Sequence, residues 1–308
     1  MLTLPKTALK VSNLCFGGNV FGWTADQEQS FALLDLLSEN GNNFIDSADV
    51  YSAWKEGNQG GESETVIGNW FKKSGKREQT VIATKVAMLE TRKGLGAKNI
   101  ALACEDSLRR LNTDYIDIYY AHSDDLETDL EETLSAFNEL VSSGKVRYIA
   151  ASNYTYERLE LGLKISKDNN FASYIALQNR YSLVAREPYE SDGARSVQGF
   201  GISGLPYSTL GSGFLSGKYK EGQNVDSARA VAVGNNYANP ENYALLSRVE
   251  EIAKRHSVSN TAVALEWLRN QPGVTVPIAS GRTVEQLTAL LQSVTLSSDE
   301  VSFLTGSN

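Results

Sequence analysis

Short runs of β-branched and aromatic residues alternate with amphipathic segments along nearly the whole chain, and this alternation constrains the fold more than any other feature. A predicted helix follows nearly every candidate strand, at intervals of roughly 25–40 residues. Eight candidate strands cover residues 14–17, 43–46, 80–85, 115–121, 146–151, 173–177, 201–205 and 274–278. Such a repeat predicts parallel strands joined by right-handed crossover helices.

Two folds are built from repeats of this kind, the closed (β/α)8 barrel and the doubly wound open sheet. Eight units in 308 residues suit the barrel better than a six-stranded open sheet. The Gly17-Gly18 pair lacks the third glycine of the G-x-G-x-x-G turn that is typical of the open sheet. We therefore predict an α/β fold, a TIM barrel of one domain over residues 1–308, with the doubly wound sheet as the competing topology. Residues 2–4 and 9–11 predict a β-hairpin ahead of the barrel.

The predicted helices have amphipathic periodicity and recognisable ends. Thr24 and Gln27 have capping-box spacing at the start of the first helix, and Gly41 follows its end. The helices are predicted at residues 26–40, 62–73, 97–111, 130–141, 154–167, 188–200, 241–256, 261–270 and 284–291.

Charge and composition exclude several classes of function. The chain has 29 basic and 37 acidic side chains and a net charge of −8, which argues against binding nucleic acid or an anionic membrane surface. Because His122 and His256 are its only histidines, we expect no metal centre. The first residues contain no apolar run suited to a signal peptide, and we expect a cytoplasmic protein. A monomer is the default expectation, and a homo-oligomer stays open.

Four polar residues occupy positions where barrels place catalytic groups, at the carboxyl ends of strands and in the loops that follow. Asp46 ends one predicted strand and Tyr51 follows it by five residues. Lys85 ends the next strand, and His122 ends the one after. Each has an ordinary structural role when taken alone, but four such residues meeting at one barrel mouth predict an active site.

The chemistry of this set is coherent. Tyrosine has a pKa near 10 and is a poor acid at neutral pH. An ammonium beside it would lower that pKa, and an aspartate would keep the ammonium charged and oriented. An imidazole can polarise a carbonyl oxygen by hydrogen bonding. Such a site can protonate an oxygen while hydride reaches the adjoining carbon, and a nicotinamide cofactor has to supply the hydride.

Over essentially its whole length the sequence resembles the aldo-keto reductase superfamily, in the long-chain branch that includes potassium-channel β subunits. The segments most similar to that family's strand signature, lysine segment and histidine motif are FIDSADVY at 44–51, IATK at 82–85 and HSDD at 122–125. The resemblance implies NADPH-dependent reduction of an aldehyde or ketone to an alcohol. It makes Tyr51 the general acid, tuned by Lys85 and Asp46, with His122 orienting the carbonyl group.

The same resemblance implies a cofactor site assembled from several strand ends. Residues 207–218 are similar to the stretch that stacks on nicotinamide and wraps the pyrophosphate. We expect the long loop at residues 216–240 to form a lid over the cofactor. The expected cofactor-binding residues are Gly18, Asn19, Ser152, Asn153, Gln178, Tyr207, Ser208, Leu210, Ser212, Gly213, Lys218, Ser280, Arg282 and Gln286.

The segment at 277–287 resembles the part of the family that grips the adenosine phosphate. A serine and an arginine ahead of a helix, Ser280 and Arg282, suit a 2′-phosphate and favour NADPH over NADH. Ala289 and Leu290 stand where the family has an acidic residue and an asparagine that contact adenine. NADH therefore stays possible as a cofactor.

Aromatic residues in the predicted loops around the mouth are candidates for contact with a small carbonyl substrate. They are Phe21, Trp54 and Tyr237, together with Trp23, and the alternative is that such rings seal loops against the barrel.

Two functions from other classes fit part of the pattern. A cofactor-binding redox sensor or regulatory subunit would keep the same four polar residues, and a large apolar patch outside the mouth would favour it. A barrel hydrolase such as a glycosidase would pair Asp124 or Asp125 with a second carboxylate. The hydrolase leaves the ordered aspartate, tyrosine, lysine and histidine unexplained.

Overall fold

The computed structural model describes residues 1–223 and 225–306. An N-terminal hairpin pairs β1 (Leu2–Thr3) antiparallel with β2 (Lys10–Val11), as the sequence predicts. Eight further strands form one sheet, ordered along the chain from β3 to β9, with β10 beside β3 and all neighbours parallel. They are β3 (Cys15–Gly17), β4 (Phe44–Asp46), β5 (Val81–Val86), β6 (Ile116–Ala121), β7 (Val146–Ser152), β8 (Tyr174–Gln178), β9 (Ser203–Gly204) and β10 (Ile278–Ala279).

Backbone hydrogen bonds close the sheet between β9 and the segment that leads into β10. Thr275 N donates to Gly204 O at 2.8 Å, and Ile278 N donates to Pro206 O at 2.9 Å. Gly204 permits this approach, because a Cβ there would lie 1.9 Å from the carbonyl oxygen of Gly273. The predicted (β/α)8 barrel is confirmed, and the doubly wound alternative is excluded.

Helices pack around the sheet. Eight of the predicted helices have the observed bounds within two residues, whereas α6 begins late because a π-helical turn, Tyr189–Gly193, precedes it. The helix α7 lies inside the predicted loop at 216–240, of which residue 224 is outside the described residues, and α11 was not predicted. The helices are α1 (Gln27–Glu39), α2 (Glu62–Ser74), α3 (Ala97–Leu111), α4 (Leu130–Ser142), α5 (Tyr156–Asn169), α6 (Ala194–Phe200), α7 (Ala230–Asn236), α8 (Pro240–His256), α9 (Asn260–Arg269), α10 (Val284–Leu291) and α11 (Ser298–Thr305).

The cap of α1 differs from the prediction. Asp26 is the N-cap, and its carboxylate accepts from Gln29 N at 2.9 Å while the Gln29 side chain accepts from Asp26 N at 3.1 Å. Thr24 lies two residues before this N-cap, in the preceding turn, where its N–H donates to Val20 O. The box is therefore shifted by two residues from the predicted spacing.

Strand side chains alternate between the barrel interior and the surrounding helices, as the period of a β-strand requires. In β5, Val81 and Ala83 pack in the interior, whereas Ile82 and Val86 pack against helices. The hairpin adds apolar side chains to the interior set: Leu4, Leu9 and Val11. The same alternation directs Lys85 into the interior near the carboxyl end of its strand. None of the helices in the described residues is long and apolar enough to cross a membrane.

Candidate active site

Asp46, Tyr51 and Lys85 form one hydrogen-bonded cluster at the carboxyl ends of β4 and β5. Lys85 Nζ lies 2.6 Å from Asp46 Oδ2 and 2.8 Å from the Tyr51 hydroxyl. The Tyr51 hydroxyl in turn donates to the same Asp46 oxygen at 3.0 Å. The strand ends and the short loop after β4 thus bring together three of the four residues that the sequence singles out.

The charged groups of this cluster are fully sequestered and satisfied. The relative exposure of Lys85 is 0% and that of Asp46 is 1%. The third hydrogen bond of the Lys85 ammonium goes to Ser47 O at 2.7 Å. Asp46 Oδ1 accepts from Gln178 Nε2 at 3.0 Å. A buried ion pair is tolerated only when the remaining donors and acceptors are also satisfied, and this cluster meets that condition.

Burial sets the proton affinities of these groups. It raises the pKa of Tyr51 well above its usual value, and the neighbouring Asp46 charge raises that pKa further. Burial lowers the pKa of Lys85, and Asp46 acts in the opposite direction. The lowering of the Tyr51 pKa expected from the ammonium is outweighed, because the desolvation of the phenolate dominates. The phenol holds its proton over the neutral range.

His122 follows β6 and stands beside this cluster. Its ring centroid lies 6.0 Å from that of Tyr51, and its backbone oxygen accepts from Asn153 Nδ2 at 3.0 Å. Burial lowers the pKa of His122 well below its ordinary value, and the Lys85 charge lowers it further. Its buried Nδ1 has no hydrogen-bond partner within residues 1–223 and 225–306. The imidazole is neutral at physiological pH.

A cavity of about 450 Å³ runs from Asp46 and Tyr51 to the N-terminal end of α10. Ten of the expected cofactor residues line it: Asn19, Tyr207, Ser208, Leu210, Ser212, Gly213, Lys218, Ser280, Arg282 and Gln286. Its walls also include residues that sequence reasoning did not select: Val20, Thr24, Ser227, Ala228, Arg229, Ser259, Thr261 and Glu285. Ala289 and Leu290 of α10 also line the cavity and add apolar surface next to its polar and charged residues.

The segment after β9 has an unusual backbone on the cavity wall. Ser208 (φ 55°), Gly211 (φ 55°), Ser212 (φ 56°) and Gly213 (φ 92°) are all left-handed. A left-handed conformation is sterically unfavourable for serine, so contacts with the surrounding structure must hold the turn in place. A turn of this kind can direct free backbone N–H groups towards an anion. Two N–H groups of the turn are already engaged, since Gly211 N donates to Ser208 O at 2.9 Å and Gly213 N to Leu210 O at 3.0 Å.

Three cations line the same cavity. Lys218, Arg229 and Arg282 have no carboxylate within salt-bridge distance among the described residues. Burial lowers the pKa of Arg229, and the nearby charge of Arg282 lowers it further. The Arg229 guanidinium lies over the Trp23 ring, 5.4 Å from its centroid. Lys218 is exposed, and Arg229 and Arg282 are half-buried. Positive charge without a counter-charge on this wall makes the cavity attractive to an anion.

The four other expected cofactor residues lie next to the cavity wall. Ser152 Oγ donates to Gln178 O at 2.8 Å, and Asn153 Oδ1 accepts from the Tyr207 hydroxyl at 2.9 Å. Gly18 is packed so closely that a Cβ would meet Ser63 Oγ at 2.8 Å. The structure thus brings Ser152, Asn153 and Gln178 together with Tyr207 at one edge of the cavity.

The aromatic candidates separate into exposed and buried residues. Trp54 is 49% exposed, with its ring 6.1 Å from that of Tyr51 and edge-on to Trp23. Phe21 is 0% exposed and stacks on Phe16 in the core. Tyr237 is also buried, and Arg180 donates to its hydroxyl. The predicted substrate contacts of Phe21 and Tyr237 are not supported, because neither ring has free surface.

The carboxylates that a hydrolase would use are engaged elsewhere. Asp124 forms an ion pair with Arg158 at 2.8 Å. Asp125 accepts from Leu95 N at 2.8 Å and from Thr128 Oγ1 at 2.7 Å. These contacts fix the loop after β6 and give both carboxylates a structural role.

Comparison with known proteins gives consistent matches. The model of the aldo/keto reductase family matches residues 13–308. Protein tas of Escherichia coli is 32% identical over 96% of this chain and 93% of its own length. An aryl-alcohol dehydrogenase of Pestalotiopsis microspora is 31% identical over 96% of this chain and 78% of its own. A probable voltage-gated potassium channel subunit beta of Arabidopsis thaliana is 29% identical over 94% of this chain and 90% of its own.

Proposed function

The chain belongs to the aldo/keto reductase family of oxidoreductases, and from this premise we propose that it reduces an aldehyde or ketone to an alcohol with NADPH. The observation that carries the proposal is the hydrogen-bonded cluster of Asp46, Tyr51 and Lys85 in a cavity that cationic side chains also line. A phenol held by an ammonium is suited to protonate a carbonyl oxygen. The cavity has the chemistry to hold an extended, anionic cofactor beside it.

The residues present fit NADPH. We expect Ser152, Asn153 and Gln178 to hold the nicotinamide carboxamide beneath the Tyr207 ring, and the left-handed turn at 208–213 to meet the pyrophosphate. Asn19 and Gly18 would flank the nicotinamide end. The remaining phosphate would be held by Lys218, Ser280, Arg282 and Gln286, with Arg229 as an additional cation. When bound, the nicotinamide supplies a hydride to the carbonyl carbon.

The chain's own residues handle the proton. His122, being neutral, donates a hydrogen bond from its ring to the carbonyl oxygen and orients it beside Tyr51. Tyr51 turns its hydroxyl proton from Asp46 to that oxygen, because an alkoxide is a far stronger base than a phenolate. Lys85 donates to the phenolate left behind, and Asp46 holds the ammonium charged. The raised pKa of Tyr51 keeps the donor loaded before each turnover.

The neutral state of His122 predicts the acid side of the pH profile. Its pKa lies well below 6.5, so the ring gains a proton only when the pH falls far under that value. We expect kcat/KM for a model aldehyde to stay flat between pH 7.5 and about 5.5. A fall in rate centred near pH 6.5 that disappears in a His122→Asn variant would show that the ring is not held neutral.

The identity of the cofactor is tested by fluorescence titration of the purified protein with NADPH and, separately, with NADH. We expect Arg282→Ala to raise the Kd for NADPH by roughly 10–100-fold and to change the Kd for NADH by less than about threefold. Arg195→Ala is the control, because Arg195 lies on α6 and does not line this cavity. An equal increase in Kd for NADPH and NADH would show that Arg282 does not bind the 2′-phosphate. If the wild-type protein bound neither cofactor, the proposed reductase function would be overturned.

A regulatory role is the second candidate function, because one relative is by its name a probable potassium channel subunit. A protein with only a regulatory role would bind the cofactor without sustained turnover. Steady-state turnover with excess aldehyde therefore separates the two candidates, since a reductase consumes many equivalents of NADPH. We also propose a cytoplasmic location, in keeping with NADPH-dependent reduction.

A further inference from the structure

Gln178 makes a hydrogen bond across the interior of the barrel to the Asp46 carboxylate. It is the last residue of β8 and is 2% exposed. Its partner Asp46 ends β4, and in the order of the closed sheet β4 and β8 are separated by four steps in either direction. The 3.0 Å contact between Gln178 Nε2 and Asp46 Oδ1 therefore joins opposite walls of the barrel.

The two oxygens of Asp46 have different partners. Oδ2 accepts both from Lys85 Nζ at 2.6 Å and from the Tyr51 hydroxyl at 3.0 Å. Among the described residues, Oδ1 has the Gln178 amide as its only side-chain partner. A carboxylate held at one oxygen only can rotate about its Cβ–Cγ bond, whereas partners at both oxygens fix that rotation.

Gln178 is itself held by its neighbours. Its backbone oxygen accepts from Ser152 Oγ at 2.8 Å and from Asn153 N at 3.2 Å. Its side chain emerges from a strand and not from a loop, which favours a defined geometry. The amide is thus a fixed donor aimed at the oxygen that Lys85 leaves free.

We propose that Gln178 is a positioning residue for the proton donor, beyond the contact with nicotinamide expected of it: its amide orients Asp46 so that one oxygen meets Lys85 and Tyr51 together. The expected effect of Gln178 on the rate of carbonyl reduction rests on the proposed function. The cross-barrel hydrogen bond itself does not depend on that function, and it is measured first without any substrate.

The first test is a double-mutant cycle on unfolding by urea, with Gln178→Met, Asp46→Asn and the double variant. Asp46→Asn keeps the shape of the side chain and removes its charge. We expect Gln178→Met to increase the unfolding equilibrium constant roughly tenfold more in the wild-type background than in the Asp46→Asn background. Strictly additive effects would overturn the proposal, because Gln178 would then not act on the charged carboxylate.

The second test is the pH profile of kcat at saturating NADPH and aldehyde, with Gln178→Glu beside Gln178→Met. The introduced carboxyl donates a hydrogen bond to Asp46 while it is protonated and repels Asp46 once it ionises. At the low-pH end of the profile, we expect kcat of the Gln178→Glu variant to lie within about threefold of the wild-type kcat. We expect this kcat to fall progressively as the pH rises. The Met variant should be roughly 10–100-fold slower at every pH, with a smaller change in the KM for aldehyde.

Parallel pH profiles for the two variants, or a change confined to cofactor affinity, would overturn the positioning role. Gln198→Met is the matched control, since Gln198 is exposed on α6 and should match the wild type in both experiments. Should the wild type reduce no carbonyl compound, the proposed function fails while the unfolding cycle still decides whether Gln178 positions Asp46.

Discussion

Replacement of Tyr51 by phenylalanine should lower the single-turnover rate of carbonyl reduction by roughly 10²–10⁴-fold, the range that a positioned general acid contributes. The phenol is the only group of the cluster that can deliver a proton to substrate, because Lys85 is fully buried behind it. Rapid mixing of the enzyme–NADPH complex with aldehyde measures the rate, and fluorescence titration measures the Kd for NADPH. We expect that Kd to change by less than about threefold.

Tyr115→Phe is the control for this substitution. Tyr115 precedes β6, at the amino-terminal end of the strand, and the phenyl ring of the variant keeps the stacking with Arg77. Its turnover should equal that of the wild type. A Tyr51→Phe enzyme that reduced aldehyde at the wild-type rate would remove Tyr51 from the chemistry and leave the proton donor unidentified.

Asp49→Asn should stabilise the protein by roughly 2–4 kcal/mol at pH 7 and by almost nothing at pH 4. Asp49 is fully buried, and neither of its carboxyl oxygens has a hydrogen-bond partner among the described residues. Burial raises its pKa to about 8, and the charge of Glu64 adds to this, whereas Arg110 opposes it. The asparagine keeps the shape and removes the titration.

The direction of the pH effect on stability follows from the pKa of Asp49 in the folded and in the unfolded protein. The unfolded Asp49 has a pKa near 3.9, so between about pH 4 and pH 8 the folded state binds more protons than the unfolded state. The free energy of unfolding of the wild-type protein therefore falls as the pH rises through that window. Asp49 contributes about 1.4 kcal/mol per pH unit to this fall. Urea unfolding at a series of pH values measures the effect. Asp114→Asn, at an exposed position, is the control. An Asp49→Asn curve parallel to that of the wild type would show that Asp49 is ionised in the folded protein.

The barrel could be predicted because its determinants are local and periodic. Each strand corresponds to a short apolar run in the sequence. The alternation of side chains along a strand predicts that Asp46 and Lys85 point inward at strand ends, even when no tertiary contact is known. The family that the motifs indicate is confirmed over residues 13–308. The helix α11 escaped prediction, although Ser297 and Glu300 form a capping box ahead of it that was present in the sequence.

The features that could not be predicted depend on packing between distant segments. Arg229 reaches the cavity through a long loop, and nothing in its local sequence distinguishes it from an exposed arginine. Phe21 turns into the core because Phe16 and the neighbouring apolar side chains cover it. The raised pKa of Tyr51 likewise follows from burial, a property of the assembled barrel, whereas residue identities alone indicated only the ammonium beside it.

The most direct test of carbonyl reduction at this site follows an isotope label. NADPH that carries deuterium at carbon 4 of the nicotinamide, prepared as each of its two stereoisomers, is incubated with the enzyme and 4-nitrobenzaldehyde, and the alcohol is analysed by mass spectrometry. We expect one stereoisomer to yield alcohol with a single deuterium on the former carbonyl carbon, and Tyr51→Phe to form almost none. An absence of labelled alcohol from the wild type with either stereoisomer, at saturating NADPH, would contradict reduction of this carbonyl compound by hydride from the cofactor.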